Sequence, residues 1–156
     1  MHSTLYYQLI TFLIAMLPIS ELRGAIPVAL VVYHLPWWSA YFWAVLGNVL
    51  AVFFVLKFLD LFTQFLTNRS NFCQILFSWL FKRTRRQYSS RFERLGILAL
   101  VTFVAIPLPM TGGWTGAIAA YIFGVPFYKA FFLISIGIII AGLFVTLATL
   151  GILSFV

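Results

Sequence analysis

Long apolar stretches, broken at a few polar positions, set the pattern of this chain. Two of them can cross a bilayer without interruption, Trp37 to about Leu66 and Tyr128 to about Phe155, since a helix rises about 1.5 Å per residue and the hydrocarbon core is about 30 Å thick. Each begins with aromatic residues of the kind that favour the membrane interface. The pattern therefore predicts two full transmembrane helices.

Two other apolar stretches are too short to span a membrane alone. Leu5 to Leu17 and Leu95 to Ile106 would reach only roughly 18 to 20 Å as helices. Each is followed by a break rich in proline and glycine and then by a second short apolar run, Ala25 to Tyr33 or Trp114 to Phe123. Each half of the chain is thus predicted to contain two short helices joined by a broken tip, followed by one long helix.

The two halves also match each other in sequence. RGAIPVALVVYHLPWWSAYF (23–42) lies over TGAIAAYIFGVPFYKAFF (115–132) when two residues are gapped near Tyr33. Beyond the gap the matched pairs are Pro36 with Pro126, Ala40 with Ala130, Phe42 with Phe132, Gly47 with Gly137, and Ala51 with Ala141. The last two pairs give each long helix two small residues four apart, which permits close helix packing. We interpret the chain as one membrane domain, 1–156, with a first repeat at about 4–67 and a second at about 95–156.

Two topologies fit this order of helices, and the positive charges favour one of them. If each pair of short helices is a re-entrant hairpin, each repeat crosses the membrane once and the second is inverted relative to the first. Lys57, Arg69, the basic segment 82–94 and Lys129 then all lie at or near the cytoplasmic face, as the positive-inside rule expects. If each pair is instead one kinked span, the chain crosses four times and Lys129 lies outside.

Composition and charge indicate a membrane protein rather than a nucleic-acid-binding one. The chain of 156 residues is 63% hydrophobic and only 8% charged, whereas about a quarter of the residues in soluble domains are charged. The net charge is +7, and most of the bases lie within one segment between the repeats: Arg69, Lys82, Arg83, Arg85, Arg86, Arg91 and Arg94. We therefore expect the bilayer as a partner, no nucleic acid, and a cytoplasmic loop at 82–94.

The linker at about 68–94 has a helical pattern of its own. Apolar residues recur on one side and polar residues on the other, with Phe72, Ile75, Leu76, Trp79 and Leu80 forming the apolar stripe. The predicted fold is therefore all-α and integral to the membrane: an inverted repeat of two units, each a re-entrant helical hairpin plus one long transmembrane helix, joined by an amphipathic interfacial helix.

Few residues offer chemistry outside the tips. Cys73 is the single cysteine, and His2 and His34 have no carboxylate or second histidine at ligand spacing. The chain has no nucleophile–histidine–acid set and no phosphate-binding glycine-rich loop between a strand and a helix. We expect no metal, no cofactor and no enzymatic activity.

The broken tips are the candidate functional site, because irregular backbone at membrane depth must be buried in protein or face a watery cavity. Ionisable residues in a membrane are costly and indicate function, so Glu21 is predicted to carry a proton and Arg23 to attract the negative end of a substrate. Two sets of residues complete the site: the substrate-binding candidates Ser20, Gly24, Thr111, Gly112, Gly113 and Thr115, and the hinge candidates Pro18, Pro27, Pro107 and Pro109. The alternative is that Glu21 and Arg23 form a structural ion pair that caps the helix beside Ser20.

These tips also resemble a known family. Glu21-Leu-Arg-Gly-Ala-Ile-Pro27, together with Pro107-Leu-Pro-Met-Thr-Gly-Gly-Trp-Thr-Gly-Ala117, resembles the small multidrug export proteins, which are compact bacterial membrane proteins. The resemblance implies a multi-pass protein of the bacterial cytoplasmic membrane that exports drugs. More remotely, the layout looks like the DedA or VTT superfamily, which is implicated in proton-dependent translocation of lipid carriers. DedA proteins bear arginines in the second tip, whereas Phe103 to Gly113 has no charge here.

Three functions remain open from the sequence. The first is proton-coupled transport of a small amphipathic molecule, with Glu21 as the proton carrier. The second is translocation or scrambling of an anionic lipid or lipid carrier, and the third is a membrane scaffold without transport. Because two spans and two hairpins can hardly enclose a pathway alone, we expect a homodimer or a higher oligomer.

Overall fold

The computed structural model describes residues 2–69, 90–106 and 112–154, and every regular element within them is helical. The elements are α1 (His2–Met16), α2 (Glu21–Pro27), which continues as a π-helical segment (Val28–Val32), α3 (Trp37–Arg69), α4 (Ser90–Ala105), α5 (Gly113–Ile122) and α6 (Phe127–Leu153). The all-α prediction is confirmed for these residues. Most of the predicted interfacial helix, and the hinge candidates Pro107 and Pro109, lie outside the described residues.

Two long helices form the centre of the molecule. In the described part of the chain, Trp37–Thr63 of α3 and Phe127–Leu153 of α6 are long and apolar enough to cross a membrane, as predicted. The Tyr41 hydroxyl donates a hydrogen bond to the Ile139 carbonyl at 3.1 Å, while Phe53 packs edge-on against Phe127. From the first of these contacts to the second, the residue number increases along α3 and decreases along α6. The two helices therefore run antiparallel.

The helices α1 and α2 lie side by side, as in a hairpin. Tyr7 of α1 stacks on Tyr33, directly after the π-helical segment, with ring centroids 4.7 Å apart. The Gln8 amide donates to the Ser39 hydroxyl at 2.9 Å, and Gly47 lies directly against the backbone of Phe12. The helix α1 therefore runs in the same direction as α3, and the turn at 17–20 lies level with the middle of α3.

The second half repeats these packing relations. A Cβ atom on Gly137 of α6 would lie 2.7 Å from the Cβ atom of Val104 on α4, just as Gly47 of α3 meets α1. In addition, α2 packs against α6 and α5 packs against α3, so each second short helix contacts the long helix of the other half. The two halves interlock rather than sit apart.

Positions matched between the halves also have matching burial. Ala40 and Ala130 are fully buried, whereas Phe42 and Phe132 are exposed. Ala51 and Ala141 are both buried as well. The matched positions in the two halves thus have similar exposure.

The short helix α2 begins earlier than predicted. It starts at Glu21 rather than near Ala25, because the Gly24 N–H already donates to the Ser20 carbonyl at 2.8 Å. Pro18 lies in the turn between α1 and α2, but Pro27 lies within the helix rather than at a bend. Proline cannot donate the hydrogen bond of a regular helical turn, and a π-helical segment directly follows it.

Candidate functional site

The two tips meet at Trp114, near the start of α5. Its backbone N–H donates to Oε1 of Glu21 at 3.2 Å, and its indole Nε1–H donates to the carbonyl of Met16 at 3.1 Å. The Met16 carbonyl lies at the end of α1, where helical carbonyls lack a partner in their own helix. Trp114 of the second tip thus binds residues on both sides of the first tip, Met16 before the turn and Glu21 after it.

Glu21 caps the helix of the other tip. Its side chain is 7% exposed, and its φ of 43° lies in the left-handed region that residues with a Cβ rarely adopt. The N–H groups of Gly113 and Trp114 both interact with the carboxyl group. Because the N-terminus of a helix carries positive partial charge, the carboxylate of Glu21 occupies the anion site that α5 offers.

Gly112 makes this contact possible. A Cβ atom at this position would overlap the Glu21 carboxyl group. The neighbouring Gly113 is equally confined, since its Cβ would lie 2.7 Å from Cγ2 of Val52 and 2.8 Å from Oδ1 of Asn48. The two glycines allow the second tip to pack against Glu21 and against Asn48 and Val52 of α3.

Arg23 lies beside this contact. It interacts electrostatically with Glu21, and both residues line a small cavity between the tips. Ser20, at the N-cap position of α2, makes no side-chain capping hydrogen bond. The capping role that the alternative interpretation gave to Glu21 therefore applies to the opposite hairpin.

A small cavity lies between the tips. Its polar wall contains Glu21, Arg23 and Asn48, while Ile138 and Val145 are among its apolar lining residues. The cavity has a volume of about 10 Å³, which is close to the space that a single water needs. The cavity therefore accepts a small polar group, and its walls are otherwise mostly apolar.

Asn48 is the polar residue that the sequence analysis missed. It is 1% exposed, and its Oδ1 atom has no hydrogen-bond partner within the described residues. A polar side chain in the middle of an apolar span is a costly feature, so its position in α3 was an available signal. Trp114 was missed for a different reason. In the sequence it is the first residue of an apolar run, and its two hydrogen bonds form only because the tips meet.

The predicted site residues divide into three groups. Glu21, Arg23, Gly112 and Gly113 line the cavity together. The Thr115 hydroxyl donates to the Gly112 carbonyl at 3.3 Å, within the first turn of its own helix, and Thr115 is outside the lining set, as are Ser20 and Gly24. Thr111 lies outside the described residues.

Across the described ranges, no group of three or more histidine, cysteine or acidic side chains could hold a metal ion.

The fold and the tips together define a helical membrane protein with a small polar site between two hairpin tips. The model of one protein family, described as "Putative small multi-drug export protein", matches residues 21–144, a range that begins at Glu21 and includes the second tip, all of α3 and most of α6. The chain belongs to this family, and the resemblance noted from the tip sequences is confirmed. No curated protein and no solved structure matches the chain.

Proposed function

We propose that the chain is a proton-coupled exporter of small amphipathic molecules, with Glu21 as the proton carrier. The family supplies the class of function. The observation that carries the coupling is that a buried carboxyl group of one tip contacts the backbone of the other tip. Arg23, as the neighbouring charge, orients this carboxyl group.

The proposed mechanism follows from what a proton does to this contact. A carboxylate is stabilised by the N–H groups and the positive end of α5, whereas a neutral carboxyl group is held less strongly. Protonation of Glu21 therefore weakens the contact between the tips, and loss of the proton restores it. Proton binding and opening of the cavity are coupled in this way, as a secondary transporter requires.

We further propose that each hairpin is re-entrant and that the two units are inverted repeats. The stacking of Tyr7 on Tyr33 supports this topology, because the two ends of one kinked span would lie far apart. The antiparallel long helices and the interlocked halves support the inversion. In this arrangement the tips lie near the midplane, where inverted-repeat transporters bind their substrates. The basic loop 82–94 then faces the cytoplasm of a bacterial cell, and we expect a homodimer or larger assembly.

Translocation of an anionic lipid, as in DedA-like proteins, has less support from the site. It requires N–H groups at a helix N-terminus that are free to bind phosphate. At α5 the carboxyl group of Glu21 already contacts these N–H groups. If the chain were a scaffold without transport, substitutions at the tips would leave transport assays unaffected.

Replacing Glu21 by glutamine tests the proposal. The assay measures pH-driven accumulation of ethidium in proteoliposomes, with Asp60→Asn, an exposed acid of α3, as the matched control. We expect Glu21→Gln to abolish pH-driven accumulation, because a glutamine amide cannot take up and release the proton that couples transport to pH. Asp60→Asn should retain the wild-type rate. Full pH-driven transport by a folded Glu21→Gln protein would refute the role of Glu21.

A further inference from the structure

The side-chain oxygen of Asn48 is a buried acceptor with no hydrogen-bond partner among the residues that the structure describes. This Oδ1 atom is buried against Gly113. An unsatisfied buried acceptor destabilises a folded protein, and a leucine of similar size would remove that cost. The side chain lines the cavity that Glu21 also lines. Such a group needs an explanation beyond packing.

The polar atoms of this cavity specify the chemistry of what it binds. Oδ1 of Asn48 accepts hydrogen bonds, and so does the carboxylate of Glu21. The N–H groups of Gly113 and Trp114, the donors at the start of α5, are already directed at that carboxylate. A ligand that donates hydrogen bonds would satisfy both acceptors, and a positive charge on it would be attracted by the carboxylate of Glu21 and opposed by Arg23, which lines the same cavity.

We propose that Asn48 and Glu21 together bind the ammonium head of an amine substrate through its N–H groups. The proposal rests on the transport function proposed above and names its class of substrate. A head of this kind is about the size of a water molecule and so fits a cavity of about 10 Å³. The cavity has room for the ammonium head alone, so the carbon chain of the amine must extend beyond it.

Arg23 is the opposing charge in the site, and it sharpens the proposal. Its guanidinium group lowers the affinity for a cation by like-charge repulsion. Neutralising it by Arg23→Gln should therefore increase ammonium binding. If the site bound an anion instead, the same substitution would weaken binding.

The experiment compares two amphiphiles that differ in their hydrogen-bond donors. Octylammonium has three N–H donors, whereas octyltrimethylammonium has the same chain and charge but none, so it reports nonspecific partition. Isothermal titration of the purified protein in lipid nanodiscs should show at least about tenfold tighter binding of octylammonium. The Asn48→Leu variant should lose most of this preference while its binding of octyltrimethylammonium stays unchanged.

The folded state of the variant is measured separately. Without ligand, Asn48→Leu should unfold at the same temperature as the wild type or higher, since the substitution removes an unsatisfied acceptor. Should leucine disturb the packing, Asn48→Ala removes the amide without adding volume and replaces it in the titration.

Three results would overturn the proposal. One is equal affinity of the wild type for the two amphiphiles, and another is a preference for octylammonium that survives in Asn48→Leu and Asn48→Ala. The third is saturable binding of sodium, measured with NaCl alone, together with displacement of octylammonium by NaCl. That result would assign the cavity to sodium. None of these affects the ethidium assay of Glu21→Gln, so failure of this proposal and failure of the proposed transport function can be distinguished.

Discussion

The two tips each follow the first short helix of their half of the chain, but one carries charged side chains and the other glycines. The first tip carries an acid and a base, Glu21 and Arg23, whereas Gly112 and Gly113 at the second have no side chains. In the structure these differences are complementary, because the acid of one tip caps the helix of the other. The two halves of the chain thus form a single site, in which one supplies the charged group and the other supplies the backbone N–H groups that bind it.

The largest expected effect concerns the contact between each long helix and the first helix of its own half. A Cβ at Gly47 would meet the backbone carbonyl of Phe12, whereas a Cβ at Gly137 would chiefly meet the side chain of Val104. Overpacking costs about 1–3 kcal/mol, and backbone adapts less readily than a side chain. We expect Gly47→Ala to lower the unfolding temperature more than Gly137→Ala does.

The control for this comparison is Gly151→Ala, at the end of α6, where a Cβ would meet nothing within 4 Å. It should leave the unfolding temperature near that of the wild type. An equal or greater loss in Gly137→Ala than in Gly47→Ala would show that the two halves pack differently from this description.

The next effect isolates the contact between the tips. The change Gly112→Ala inserts a Cβ atom into the Glu21 carboxyl group, so we expect it to destabilise the protein by about 1–3 kcal/mol. In a Glu21→Ala background the same change should cost much less, because the group that it strikes is absent. A thermal unfolding double-mutant cycle gives this coupling energy directly. Additive effects of the two changes would mean that the tips do not touch here.

The smallest effect concerns the indole of Trp114. The change Trp114→Phe keeps an aromatic side chain but removes the indole N–H and its hydrogen bond to the Met16 carbonyl, and we expect a loss of at least about 0.5–1.5 kcal/mol of stability. Trp38→Phe, at an exposed position of α3, is the matched control and should be nearly neutral. A loss no greater than that of the control would remove the indole from the account of the tips.

Much of the fold could be predicted from the sequence because it follows from local patterns. Helix length and apolar content predicted α3 and α6 almost to their ends, and the proline- and glycine-rich breaks predicted where the short helices stop. The matched glycines, Gly47 and Gly137, were also informative, since both prove to be sites of close helix contact.

The details of the site could be predicted only in part, since they arise from packing between the halves. Charge in an apolar context singled out Glu21 and Arg23, and both line the cavity. Nothing in the local pattern relates Glu21 to the backbone of Trp114, which is 93 positions away. Thr115, chosen for its hydroxyl, instead bonds within its own helix, where threonine hydroxyls find a ready acceptor.

The most direct test measures the contact between the two tips in a bilayer. The chain has two glutamates, Glu21 and Glu93, and five tryptophans. Protein labelled with ¹³C at the glutamate carboxyl carbon and with ¹⁵N at the tryptophan backbone can therefore report the Glu21–Trp114 pair by solid-state NMR. A hydrogen bond of 3.2 Å between Trp114 N and Glu21 Oε1 predicts strong carbon–nitrogen dipolar dephasing that disappears in Trp114→Phe. Absence of dephasing in the folded wild-type protein would contradict the account.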